Sequence, residues 1–166
     1  MRKRSGALWR AGGRTIRRST ARVANPAPQP ANADQGGAAL EILNAAAWLL
    51  RHRGYEATTT RAIAEKVGIK AGSIYHHFPS KDAIVERVVN EGVRVVHRAV
   101  VAALEALPAE VDPRGRLEAA LRAHLLSSLQ NSDYTSASIR AFAFLPAELR
   151  KACRVERRRY EDIWRD

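Results

Sequence analysis

The stretch "GIKAGSIYHHFPSK", residues 68–81, crowds a glycine turn, a lysine, a tyrosine, two adjacent histidines and a helix-start signal into fourteen positions. Three kinds of chemistry compete for it: metal ligation, an ordinary helical corner, and a surface that meets phosphates and base edges. Metal ligation fails on spacing. His76 and His77 are neighbours and so point about 100° apart on a helix, unlike an i,i+4 pair, and no cysteine or carboxylate cluster completes a site. No metal and no cofactor is expected. A helix that enters a DNA groove needs an apolar inner face and a small, polar or basic outer one. Ile74 and Phe78, four apart, supply the inner face, and Ile69 anchors the turn before them. Lys70, Ala71, Ser73 and His77 are left for the groove, and Gly72 lets the backbone come close to a sugar-phosphate strand. Tyr75 and His76 are placed to reach the flanking strand. Lys81 and the free N–H groups of the helix that starts there form a second phosphate point.

The elements that must hold these residues are helices. "ALEILNAAAWLLRHRGY" places Leu40, Leu43, Ala47 and Leu50 at spacings of three and four, and Gly54 stops this first helix. "TTTRAIAEKVG" begins with Thr58 or Thr59 as the N-cap, turns Ile63, Ala64 and Val67 inward, and ends at Gly68. Both threonines join the DNA-facing candidates. A third helix over about Ala71–His77 is stopped by Phe78-Pro79, and Ser80 caps a fourth of about 27 residues, roughly 40 Å long. Two short helices around a glycine turn, flanked by longer ones, outline a helix-turn-helix. Further helices are expected over about 113–130, 134–145 and from 147 onward. The fold class is all-α.

The chain has 166 residues, with 28 Lys and Arg against 17 Asp and Glu, a net charge of +11 that favours an anionic partner. The excess is steepest at residues 1–37, where three prolines and scattered apolar residues give no helical or strand period. This segment reads as a disordered basic tail that adds salt-sensitive affinity for nucleic acid without reading sequence. The single cysteine, Cys153, rules out an internal disulfide and suits a reducing, cytoplasmic location. No apolar run reaches the ~18 residues of a membrane span, so no membrane partner is expected.

Residues 40–89, above all "GYEATTTRAIAEKVGIKAGSIYHHFPSKDAIVERVV", resemble the DNA-binding domain of the tetracycline-repressor (TetR) family of bacterial transcriptional regulators. The resemblance rests on Gly54-Tyr55, Thr58-Thr59, Ile63-Ala64, Val67-Gly68-Ile69, Gly72-Ser73-Ile74-Tyr75 and His77-Phe78-Pro79-Ser80-Lys81. It implies a homodimer on a near-palindromic double-stranded operator, and a C-terminal helical domain in which a small molecule binds and releases the DNA. Three departures stand out. Lys70 sits where the family usually has a capping serine or threonine, Ala62 replaces an early acidic residue of helix two, and members generally continue through two more helices that form the dimer interface. The C-terminal region is therefore expected to be incomplete, with Ile163 and Trp164 as apolar surface left uncovered, and the chain mainly monomeric or aggregation-prone.

These readings divide the chain into a tail (1–37), a helix-turn-helix domain (38–81) and a helical ligand-binding and dimerisation region (82–166). Val96, Val100, Leu104, Leu121, Leu125, Phe142 and Phe144 are apolar enough to line a pocket, with His124 facing the predicted bundle interior. "GSIYHHF" is similar to the branch of the family that senses fatty-acyl or other CoA thioesters, which implies an apolar or acyl-CoA effector. An enzyme is not expected: there is no glycine-rich phosphate loop, no nucleophile motif and no paired acid and base. The remaining alternative to a ligand-released repressor is a constitutive or architectural DNA-binding protein, which would show little preference between sequences at fixed salt.

Overall fold

The computed structural model describes residues 37–130 and 132–165, so the basic-tail expectation lies outside the described residues apart from Gly37. Seven α-helices account for nearly all of it: α1 (Gly37–Ala57), α2 (Thr60–Val67), α3 (Ala71–Ile74), α4 (Lys81–Glu105), α5 (Pro113–Leu129), α6 (Asp133–Ala141) and α7 (Ala147–Asp162). A 3-10 turn, Phe142–Phe144, joins α6 to α7 where the sequence suggested one continuous helix to Leu145.

Helix α1 is the central post. Ile42, Leu43, Leu49 and Leu50 are at most 2% exposed, and Ala45, Ala46 and Ala47 fill the positions between them. Burial on so many sides follows from its neighbours, because α2, α4 and α6 all pack on it. Leu40, expected inside, is half-buried near the helix start. Gly54 interrupts the helix with φ 77° and ψ −179°, a backbone state that a side chain would disfavour. The last turn, to Ala57, is thereby re-aimed.

Helix α4 links the N-terminal unit to the rest. Its lower half presents Ile84, Val85, Val88 and Val89, all 0% exposed, to the core shared with α1. Higher up, Gly92 lets α6 approach: a Cβ there would sit 2.6 Å from Ser138 Cβ and closer still to the Tyr134 carbonyl oxygen. The contact is reinforced on the α1 side, where the Tyr134 hydroxyl donates to Asn44 Oδ1 at 2.8 Å and Arg51 pairs with Asp133 at 2.9 Å. Burial pushes the Tyr134 phenol well above its ordinary value, so it remains a donor at any physiological pH.

Helix α7 is tied to α4 by ions. Arg94 donates to Glu156 at 2.8 Å and also lies 3.9 Å from Glu91, which Arg98 meets at 2.8 Å. Glu91 is 3% exposed, a carboxylate that could not be buried without these partners. The hydrogen bond from Arg94 holds the Glu156 carboxyl below the usual carboxylate range despite its burial.

Candidate nucleic-acid interface

The site is built from two glycine-dependent turns and one short helix. Thr59 is the N-cap of α2, and its hydroxyl accepts from the Ala62 N–H at 3.1 Å. Helix α2 closes at Gly68, with φ 82° and ψ 28°. There the Ile69 N–H reaches the Ala64 carbonyl at 3.0 Å and the Gly68 N–H reaches the Glu65 carbonyl at 3.3 Å. This left-handed stop ends α2 after two turns and aims the chain into α3. On the other flank Lys66 places its Nζ 3.7 Å above the Trp48 ring and so holds α2 to α1.

Helix α3 is shorter than the sequence suggested. Its α-helical part is Ala71–Ile74, after which i,i+3 hydrogen bonds from Tyr75, His76 and His77 carry the turn on to Phe78. The inner anchors are as expected, Ile74 at 0% and Phe78 at 8% exposure. Lys70, Ala71, Gly72, Tyr75, His76 and His77 are exposed together, with Ser73 half-buried beside them. Lys70 makes no side-chain cap, as expected of an ammonium, which has no lone pair to accept from the first N–H groups of a helix. Gly72 is informative because nothing among the described residues requires a glycine there. A Cβ would meet no atom within 4 Å, and its φ is not positive.

Lys81 is held rather than free. Its Nζ donates to the Tyr55 carbonyl at 2.9 Å and lies 3.7 Å over the Tyr55 ring, while the Tyr55 hydroxyl donates to Asp82 Oδ1 at 2.6 Å. Burial and the bond to Asp82 raise the Tyr55 phenol to about 12. Tyr55 thus fastens the end of α1 to the start of α4, a role the sequence reading did not assign. The GYEA segment carried the signal, an aromatic residue straight after the helix-stopping glycine. An ammonium has three protons, and two of those on Lys81 remain for other acceptors. Ser80 caps α4 by accepting from the Ala83 N–H at 3.1 Å.

Two groups of expected site residues need correction. Thr58 is fully buried, and its hydroxyl donates to the Gly54 carbonyl at 2.7 Å. It secures the bend at Gly54 and cannot reach DNA, so Thr59 alone keeps a surface role. The proposed pocket lining does not converge either. Val96 and Val100 are core, Leu104 is half-buried, and Leu121 and Leu125 face outward at 45% and 56% exposure. Phe142 is covered by the Arg157 guanidinium, 3.8 Å from its ring, and Phe144 is 79% exposed beside Gly54 and Tyr55. His124 hydrogen-bonds the Tyr160 hydroxyl and stacks on that ring, with Trp164 edge-on to both. Apolar positions on α4, α5 and the 3-10 turn look alike in sequence, and only the packing of α5 and α6 separates core from surface.

Residues 42–88 match the family described as bacterial regulatory proteins, tetR family, and residues 110–166 match the tetracyclin repressor-like C-terminal domain. The chain belongs to the TetR family. Over 64 residues it is 42% identical to the HTH-type transcriptional repressor KstR2 of Rhodococcus jostii (strain RHA1), a match covering 39% of this chain and 31% of that protein. In overall shape it is similar to the TetR-family regulator PfmR from Thermus thermophilus, with 29% identity, a TM-score of 0.61 and coverage of 73% of this chain and 63% of that one. It is also similar to AibR, solved in complex with isovaleryl coenzyme A and operator DNA, with 26% identity, a TM-score of 0.65 and coverage of 75% and 66%. The chain spans less than two thirds of each of these relatives. All three are named as transcriptional regulators or seen on operator DNA.

Proposed function

We propose that this TetR-family chain is a cytoplasmic, sequence-specific DNA-binding repressor that docks α3 in the major groove and leaves its operator when a small molecule binds. The observation that carries the reading is the exposed group Lys70, Ala71, Tyr75, His76 and His77 around Gly72, whose missing side chain serves no contact among the described residues. A glycine retained in a helix against its entropic cost, at an open surface, makes sense where another backbone must come close. Within this reading Lys70, Ala71, Ser73 and His77 meet base edges, while Thr59, Tyr75, His76 and Lys81 meet phosphates. Tyr55 keeps the Lys81 ammonium at the first turn of α4, where the helix dipole adds to its attraction for phosphate. The effector is an apolar or acyl-CoA ligand, and the likeness to AibR, solved with isovaleryl coenzyme A, supports the second of these. The division into a helix-turn-helix unit up to Lys81 and a ligand-binding region after it belongs to the same proposal.

Tyr75→Ala should weaken binding about tenfold on every sequence, whereas Lys70→Ala or Ser73→Ala should also change which bases are preferred. Gel-shift titrations of the DNA upstream of the gene, against a set of single-base variants, read both effects. Unaltered affinity in Tyr75→Ala would sink the docking proposed here. Equal affinity for all sequences at fixed salt would favour the architectural alternative.

A further inference from the structure

Residues 42–88 hold three lysines, and they are used differently. Lys66 rests on the Trp48 ring and Lys81 donates to the Tyr55 carbonyl. Lys70, exposed at the head of α3, meets no side-chain acceptor and no ring among the described residues. Its backbone is extended, with φ −71° and ψ 140°, and its carbonyl accepts from the Ser73 N–H at 2.9 Å. The first turn of α3 thus fixes its backbone while its four-carbon stem stays unengaged. The surface it belongs to has a one-sided chemistry. Residues 70–78, KAGSIYHHF, contain no asparagine, glutamine, aspartate, glutamate or arginine. In the major groove adenine is read by the paired donor and acceptor of an amide side chain, and cytosine by a carboxylate that accepts from its amino group. This segment has neither group. Guanine presents two acceptors, O6 and N7, and needs only donors. An ammonium, with three protons and no acceptor, supplies them.

We infer that Lys70 is the specificity-determining residue of α3 and that it reads a guanine of the operator, its ammonium donating to O6 and N7. The inference rests on the major-groove docking proposed above and adds the base that is read. Lys70 stands at the N-terminal end of the helix, the end that a helix lying in the major groove brings to base edges. Ala71 and Gly72, both exposed, come next, and no described residue lies within 4 Å of a Cβ at Gly72. The backbone can therefore approach closely enough for a lysine stem to reach the groove floor. Of the other donors assigned to base edges, Ser73 is half-buried and His77 lies beyond Ile74, the last residue of α3. The Ala71 methyl suits a thymine methyl. Adenine and cytosine are left unread by this helix.

The test selects binding sites for the full 166-residue chain from a pool of random duplexes and then titrates the selected duplex at fixed salt. The wild-type selection should fix a guanine at a position that Lys70→Ala leaves unspecified. On the selected duplex, changing that guanine to adenine should cost the wild type about tenfold or more, and 7-deazaguanine, which lacks only the N7 acceptor, should cost part of that. Lys70→Ala should bind the guanine duplex with about the same loss as the adenine change and be indifferent to all three bases, so that the two changes do not add. Lys70→Arg, whose guanidinium also pairs with O6 and N7, should keep the preference. Circular dichroism should be unaltered in both variants, because the Lys70 side chain has no partner among the described residues. A phosphate contact gives a different result: Lys70→Ala would weaken every sequence equally, lower the salt slope by about one and leave the guanine fixed, which overturns the inference. Tyr75→Ala on the same duplexes separates the two proposals. If it weakens binding while Lys70→Ala still selects the guanine, the docking stands and the reading of guanine falls. If the wild-type selection fixes no base at all, both fall.

Discussion

Helices α1 and α5 spend the same residue in opposite ways. In α1, Leu43, Leu49 and Leu50 are shut in by three neighbouring helices, while in α5 four leucines at regular spacing remain about half open or more. The difference lies in which neighbour each helix meets. Helix α4 packs on the alanine and serine face of α5, where backbones approach closely, and the leucines are turned away from it. An apolar stripe therefore states that a face needs a cover, and the surrounding helices decide whether this chain supplies it.

Truncating one leucine in each helix should have very different effects. Leu50→Ala should cost about 3 kcal/mol through lost burial and the cavity left behind, whereas Leu125→Ala should leave monomer stability almost unchanged. Urea unfolding of both variants, with any dimer dissociated by dilution, reads the difference. Similar losses in the two would mean that α5 is covered after all.

The same contrast holds between two glycines. Gly92 lies against the Tyr134 carbonyl and Ser138, while no described residue stands within 4 Å of a Cβ at Gly72. Gly92→Ala should therefore force α4 and α6 apart at a cost of about 1–3 kcal/mol. Gly72→Ala should leave the melting temperature unchanged or slightly raised, since alanine favours the helix, and yet lower DNA affinity. Loss of affinity without loss of stability is the outcome that separates a contact with DNA from a requirement of the fold.

A smaller effect distinguishes covered from open charge. Glu156 has its folded pKa lowered, chiefly by the hydrogen bond from Arg94. Its stabilising contribution is therefore complete above its ordinary unfolded value and disappears as pH falls through the lower, folded value. Glu156→Gln should flatten the acid limb of a stability-against-pH curve below about pH 4.5. An acid limb of unchanged slope would show that the α4–α7 ion pair contributes nothing. The least demanding test concerns Cys153, whose thiol is pushed up to about 11, chiefly by burial. It should resist alkylation at neutral pH in the native protein and react fully in denaturant.

Most of the N-terminal unit was legible in the sequence because its signals are local. Ile74 and Phe78 are one helical turn apart, Gly68 terminates α2, and Ser80 caps α4, each through contacts within a few residues. The choice between Thr58 and Thr59 was not legible, since two adjacent threonines carry the same cap chemistry. It is settled by the bend at Gly54, which turns Thr58 inward to its carbonyl and leaves Thr59 to cap α2. Tyr55 was named only as a motif residue, and its grip on Lys81 spans 26 positions, beyond any local periodicity.

Helix existence, the glycine stops, the capping residues and the inner anchors of α3 follow from backbone geometry and from hydrogen bonds between near neighbours, which one stretch of sequence contains in full. The fates of Phe144, Leu121, Leu125, Tyr55 and Gly92 follow from which helix packs against which. That is a long-range property: a side chain on a helix is buried or left open according to how close the facing backbone comes, and no spacing along the chain encodes that distance.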